Sequence, residues 1–197
     1  MRGDPWLFCA MTRKIPWGYV ASALIVAITA VVLLSWGREP ICKCGSVKLW
    51  HFELGTSEGS QHILDWYTFS HIIHGILFFG LLWLVARRLP LGWRLAIATL
   101  VESAWELLEN TETVIEHYRS VTISLDYYGD SVLNSVSDIL AMWLGFLLAR
   151  KLPVWASVAM VIGFEVFTTW MIRDGLALNV LMLLHPIEAV KAWQGAL

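Results

Sequence analysis

Long runs of this chain carry no charge at all: Ile15 to Gly37, Thr68 to Ala86 apart from His71 and His74, and Leu152 to Phe164. About 20 consecutive apolar residues are enough for a helix to cross a bilayer. Only helices and closed barrels can span it, because lipid offers no partners to unpaired backbone groups. Of the 197 residues, 57% are hydrophobic and 15% charged, and the mean hydropathy is +0.62. A soluble domain carries about 25% charge. The expected class is therefore all-α, a polytopic transmembrane helix bundle of about five spans. The net charge of −2 says little about partners. Those expected are the lipid bilayer and an envelope protein, with no nucleic acid.

The spans fit at 17–36, 67–86, 93–113, 130–149 and 154–172. Arg87-Arg88-Leu89-Pro90 joins the second to the third, and Arg150-Lys151-Leu152-Pro153 the fourth to the fifth. Proline after basic residues is a natural stop, since it forfeits a helix hydrogen bond. Arg13, Lys14, Arg87, Arg88, Arg94, Arg150 and Lys151 all fall on one side, which the positive-inside rule makes cytoplasmic. The domain reading follows: a cytoplasmic tail at 1–16, a first anchor at 17–36, an external loop at 37–66, a four-helix core at 67–172, and an external or interfacial tail at 173–197. In that tail Leu176 to Leu184 is apolar but too short to span, and reads as an interfacial or re-entrant helix. Trp17, Trp36, Trp66, Trp93, Trp155 and Trp170 lie near span ends, where amphipathic rings belong.

The first span could be mistaken for a signal peptide, but its apolar core is long and no small-x-small site follows it, so an uncleaved anchor is expected. Met11 is an alternative start. Cys9 precedes this span, and Cys42 and Cys44 follow it. The Cys-x-Cys pair reads as a disulfide, a redox pair, half a metal site or two lone loop cysteines, and carries no assigned role.

Against this background the ionisable residues inside the spans stand out. An ionisable group at membrane depth costs about 2.5–3.5 kcal/mol on insertion scales. At about 100° per residue, Glu102, Glu106, Glu109 and Thr113 form one narrow stripe of the third span. Asp130, Asn134, Ser137 and Asp138 share a face of the fourth; Tyr67, Ser70, His71 and His74 share one of the second; Glu165, Thr168 and Thr169 share one of the fifth. Each stripe must face protein or a water-filled cavity. Counting along the spans puts the four stripes at one depth, in the outer half of the bundle. The spans also suggest an internal repeat of two hairpins: Ala86-Arg87-Arg88-Leu89-Pro90 recurs 63 residues on as Ala149-Arg150-Lys151-Leu152-Pro153, an offset that carries Glu102 onto Glu165 and His71 onto Asn134.

Serines and threonines on these faces need only interhelical hydrogen bonding, worth about 0.6 kcal/mol each. The carboxylates exceed what such bonding requires, so protons or a cation must neutralise them. Crowded protonated carboxylates would suit acid/base work or proton relay. Imidazole with carboxylate would suit zinc, iron or manganese. No zincin-type His-Glu-x-x-His and no nucleophile elbow is present. The candidate catalytic residues are His74, Glu106 and Asp130. The candidate metal ligands are His71, His74, Glu102, Glu106, Asp130 and Asp138, with a divalent metal as the candidate cofactor. Asp65, Glu109, Asn134 and Glu165 are candidate substrate-lining residues. Three functions stay open: a non-catalytic envelope or assembly factor, a membrane-embedded enzyme on a lipid or lipid-linked envelope substrate, and a proton-coupled transporter module.

The segments Ser60-Gln61-His62-Ile63-Leu64-Asp65-Trp66-Tyr67, Ser70-His71-Ile72-Ile73-His74-Gly75, Glu102-x-x-Trp105-Glu106-x-Leu108-Glu109-Asn110 and the block from Ile123 to Asp138 resemble an uncharacterised bacterial multi-pass membrane protein family (uncharacterised protein family 0314, domain of unknown function 2585). Asn179 to Leu183 and Glu188 to Trp193 extend the likeness over about residues 45–194. The resemblance implies a bacterial cell (inner) membrane location and no established activity. A more distant likeness is to VanZ-like membrane proteins, through Asp65 with His71, Glu102 or Glu106, and Asp130-x-x-x-Asn134. The Asp-to-His spacing here is longer and the Glu motif differs, so the likeness is at fold level.

Overall fold

The computed structural model describes residues 15–122 and 125–196, and every described element is helical apart from one isolated bridge between Trp50 and Leu64. Cys9, Met11, Arg13 and Lys14 lie outside the described residues. The chain order is α1 (Trp17–Ser35), α2 (Thr68–Val85), α3 (Leu91–Glu109), α4 (Glu112–Val121), α5 (Val132–Lys151), α6 (Val154–Ile172), α7 (Leu176–Leu184) and α8 (Glu188–Gln194). Helices α1, α2, α5 and α6 are long and apolar enough to cross a membrane. Helix α3 has 19 residues as well, but carries Arg94 and the three-glutamate stripe.

Several expected boundaries shift by one to four residues, and two of the shifts have a side-chain cause. The third span was expected to run to 113, yet α3 stops at Glu109, because the Asn110 side chain turns back to donate to the Glu106 carbonyl at 3.0 Å and to Asp130 at 2.8 Å. Thr111 then accepts from the Val114 N–H and caps α4, which occupies much of the expected loop and takes Thr113 off the glutamate stripe. The fourth span was expected to begin at Asp130. Instead Ser131 is the N-cap of α5, its hydroxyl accepting from the Asn134 N–H at 3.1 Å.

The first N–H groups of any helix lack internal partners, and α5 recruits the loop after α1 to supply them. Val132 N–H donates to the Glu39 carbonyl at 2.8 Å and Leu133 N–H to that of Pro40 at 3.2 Å. Gln61 donates to the Gly129 carbonyl at 2.7 Å, and Ser131 donates through its hydroxyl to the Gln61 carbonyl at 3.1 Å. Residues 37–66 are thus stitched over the start of α5 and α2. Within them Cys42 and Cys44 form a disulfide. Glu58 accepts from Lys48 and pairs with the ring of buried His62 at 3.0 Å. The lysine bond, then the histidine bond, hold the Glu58 carboxyl down at about 2.

Helix α2 packs most extensively on α5, and α1 on α3. Both crossings are built on glycine. A Cβ at Gly75 would sit 1.9 Å from the Met142 carbonyl oxygen, and one at Gly145 2.0 Å from that of Ile72. Small residues at such positions let two backbones touch. Below this contact Leu82, Leu95, Ala98, Ile139, Met142 and Phe146 form an apolar core toward the short-turn end.

Gly75→Ala and Gly145→Ala each press a methyl against backbone that cannot move aside, so each should cost about 1–3 kcal/mol. Gly80→Ala, where the methyl meets nothing within 4 Å, should leave stability unchanged or raised. Thermal unfolding of the purified protein checks the contrast. Glu58→Gln should loosen residues 37–66, seen as faster hydrogen exchange at pH 7. A carboxylate held below its usual 4.5 contributes above that pH and loses its contribution as the pH falls toward about 2. The difference between variant and wild type should therefore narrow over that window.

Candidate functional site

His71 and Gly75 lie one turn apart on α2, and Asp138 and Gly145 two turns apart on α5. The glycine crossing therefore brings His71 opposite Asp138, with its Nε2 3.8 Å from Asp138 Oδ2. Helix α3 presents the third face. Glu102 is fully buried. With Glu102 ionised and able only to accept, His71 Nδ1 donates to its Oε1 at 2.6 Å, and His74 Nδ1 donates to both of its oxygens at 3.1 Å. Glu106, one turn further along, places Oε1 3.6 Å from His71 Nδ1. Among the described residues, Glu106 Oε1 and Asp138 Oδ1 meet no hydrogen-bond donor although both are buried. Within this cluster two sets of groups come close enough to hold a metal ion: His71, His74 and Glu102, and His71, Glu106 and Asp138; a third set among the described residues, Cys42, Cys44, Glu58 and His62, has its sulfurs tied in the disulfide.

A cavity of about 290 Å³ reaches this cluster from the loop end. Small-molecule sites start at about 300 Å³. His71, His74, Glu102, Glu109, Asp130, Asn134, Asp138 and Asp65 line it, whereas Glu106 lies behind them and Glu165 elsewhere. Leu54, Val101 and Val180 are also in the lining and are exposed on the outside of the molecule. No Lys or Arg is among the lining residues, against seven carboxylates.

Three predicted site residues are tied to structural partners. Asp130 precedes α5; its Oδ2 accepts from Asn110, its Oδ1 from the Tyr127 hydroxyl at 3.0 Å, and its N–H donates to Asn110 Oδ1 at 2.8 Å. Asn134 donates to the His62 carbonyl at 2.9 Å. Asp65 accepts from the Tyr67 N–H at 2.8 Å as α2 begins. Glu165, expected to join the cluster, does not. Its two oxygens accept from the Leu176 and Ala177 N–H groups at 2.9 and 3.1 Å, where a carboxylate offsets the unpaired donors and the dipole at the start of α7. The 63-residue offset thus pairs Glu102 with a glutamate that serves a different partner.

Sequence reasoning missed Asn110 as a site member, although it follows Glu109 directly. It also missed a polar relay at the cavity rim: Asn179 donates to the Tyr118 hydroxyl at 2.8 Å, Tyr118 to that of Tyr67 at 3.1 Å, and Tyr67 to Asp174 at 3.0 Å. Burial raises Asp174 and Tyr118 above their usual values, and burial followed by the neighbouring Asp130 charge raises Tyr127. Tyr118, Asp174 and Asn179 lie outside the helices that carry the histidines and the glutamate stripe, so periodicity could not reach them.

The family model described as "Protein of unknown function (DUF2585)" matches residues 33–196. Among curated relatives, a UPF0314 protein of Paracoccus denitrificans is 72% identical, covering 91% of this chain and 93% of its own length. Relatives bearing the UPF0314 name in Sinorhizobium fredii and Novosphingobium aromaticivorans are 57% and 51% identical, covering 94% and 90% of this chain and 94% and 92% of their own. No solved structure matches the chain.

Asn110→Ala removes two hydrogen bonds from Asp130 and one from the end of α3, and should cost about 3 kcal/mol. Glu165→Gln keeps an acceptor at α7 and should cost about 1 kcal/mol or less. Unfolding midpoints of the two variants, each inserted and purified alike, check the order.

Proposed function

Since the chain belongs to DUF2585, a family of unknown function, we propose that it is a multi-pass inner-membrane enzyme acting on the head group of a lipid or lipid-linked envelope substrate. The observation that carries this reading is the cavity. A polar cluster serving only as glue would be closed over, yet here a cavity reaches His74 and Asp138 beside the fully buried Glu102. In the orientation that the positive-inside rule favours, this space faces the external side. The exposed apolar residues Val101 on α3 and Val180 on α7 would let an acyl chain stay in lipid while its head group reaches the cluster.

The chemistry follows from the groups present. His74 holds its Nδ1 proton against Glu102, which leaves Nε2 to take or give a proton in the cavity. This is the arrangement of a general base oriented by a carboxylate. The lining carries seven carboxylates and no Lys or Arg, so it repels a phosphate and suits a hydroxyl-rich or amine-bearing group. A divalent cation is the cofactor that the cluster suits.

A second reading, the non-catalytic assembly factor, draws support from Asp130, Asn134 and Glu165, all tied to structural partners. The transporter reading is disfavoured by the apolar core that fills the short-turn half.

Deletion of the gene in a bacterium that carries it should change the envelope lipid profile seen by mass spectrometry. Wild type should restore it, and Glu106→Gln and His74→Ala should not, although both accumulate in the membrane at wild-type levels. Full restoration by both variants would remove the enzymatic reading and leave the assembly factor.

A further inference from the structure

The two candidate metal trios share His71, and its two ring nitrogens cannot serve both. The trio His71–His74–Glu102 is already closed. Both Nδ1 atoms point at the Glu102 carboxylate at 2.6–3.1 Å, and both of its oxygens are taken. A metal there would have to replace three hydrogen bonds. The trio His71–Glu106–Asp138 is open. Its candidate ligand atoms lie within 4.8 Å of one another, and two of its buried oxygens, Glu106 Oε1 and Asp138 Oδ1, meet no donor among the described residues. An unpaired buried carboxylate oxygen costs far more than a paired one, and here two carboxylates from different helices, each with such an oxygen, flank one imidazole.

We propose that a divalent transition-metal ion binds between His71 Nε2, Glu106 and Asp138, with Glu102 as the group that orients His71 rather than a ligand. A proton held on Nδ1 by Glu102 leaves the Nε2 lone pair free; Nε2 faces Asp138 at 3.8 Å, and Glu106, whose Oε1 lies 3.6 Å from Nδ1, would complete the set by turning its carboxylate to the Nε2 side. A histidine whose second nitrogen donates to a carboxylate is the usual outer-shell arrangement at metal centres. Charge supports the same assignment: one divalent ion neutralises the two carboxylates in a low-dielectric interior where, among the described residues, the one ion-pair partner of both is His71. One imidazole with two carboxylates suits manganese, iron or zinc better than calcium or magnesium, which prefer oxygen alone. His71 and Asp138 line the cavity and Glu106 backs them, so the remaining coordination positions face the space where a substrate would sit. Presence of the metal stands on this geometry alone; its use in catalysis rests on the enzymatic reading.

The test is metal analysis of the full-length protein, purified without chelators in lipid nanodiscs, with Mn²⁺, Fe²⁺ and Zn²⁺ titrations of the stripped protein. About one ion per chain is expected for wild type. Asp138→Asn and Glu106→Gln should weaken binding at least 100-fold. Glu102→Gln should keep the stoichiometry and lose about 10–100-fold in affinity, as outer-shell changes do. In wild type loaded with Mn²⁺, pulsed electron paramagnetic resonance should show coupling to one imidazole nitrogen, a readout that needs no variant to fold. No ion bound at millimolar metal, no nitrogen coupling, or binding that survives Asp138→Asn but not His74→Ala would each overturn the assignment. A bound ion together with full restoration of the lipid profile by Glu106→Gln would remove the enzymatic reading alone.

Discussion

The contact on which the rest depends is the crossing of α2 and α5 at Gly75 and Gly145. Each glycine lies against the other helix's carbonyl backbone, with no room for even a methyl. Because His71 is one turn from Gly75 and Asp138 two turns from Gly145, the backbone approach also sets the span between imidazole and carboxylate. A wider crossing would leave His71 and Asp138 on facing helices with nothing shared between them. The close one lets a buried imidazole sit between carboxylates of α3 and α5, with the fully buried Glu102 fixing its orientation.

The polar groups divide into two populations once their partners are known. Asp130, Asp65 and Glu165 accept from backbone N–H groups, from Asn110 and from Tyr127, and Asn134 donates to the His62 carbonyl. They close helix ends and hold loops, as buried polar groups normally must. Among the described residues Glu106 and Asp138 retain unmet oxygens, and His74 lines the cavity. The first population makes the second affordable, since loops clamped over α5 keep the interior from relaxing around its own charge.

Much of this was legible in the sequence because two signals are strictly periodic. The uncharged runs give helix lengths, and α1 and α6 fall where hydropathy puts them. The 3.6-residue stripes of Glu102–Glu106–Glu109 and His71–His74 identify which faces turn inward. What periodicity cannot see is where a helix ends by side-chain capture. Asn110 stops α3 and Ser131 starts α5, moving Thr113 and Asp130 off the faces assigned to them. Nor can it see a carboxylate claimed from a distance in space, as α7 claims Glu165. That glutamate matched Glu102 in sequence position, but a helix start packed beside it supplied two N–H groups. The Tyr67–Tyr118–Asn179 relay joins α2, α4 and α7, a set of neighbours that only the fold brings together.

The capping of α7 by Glu165 has a consequence in time as well as in space. Leu176, Asn179 and Val180 form part of the cavity wall, and they leave the ribosome after the helices that bear His71, Glu102 and Asp138. Until they dock, the helices bearing His71, Glu102 and Asp138 can already be assembled, but their shared chamber lacks one side. The chain thus makes its scaffold before its enclosure, and a nascent protein stalled before residue 176 would expose its acidic interior to whatever surrounds it.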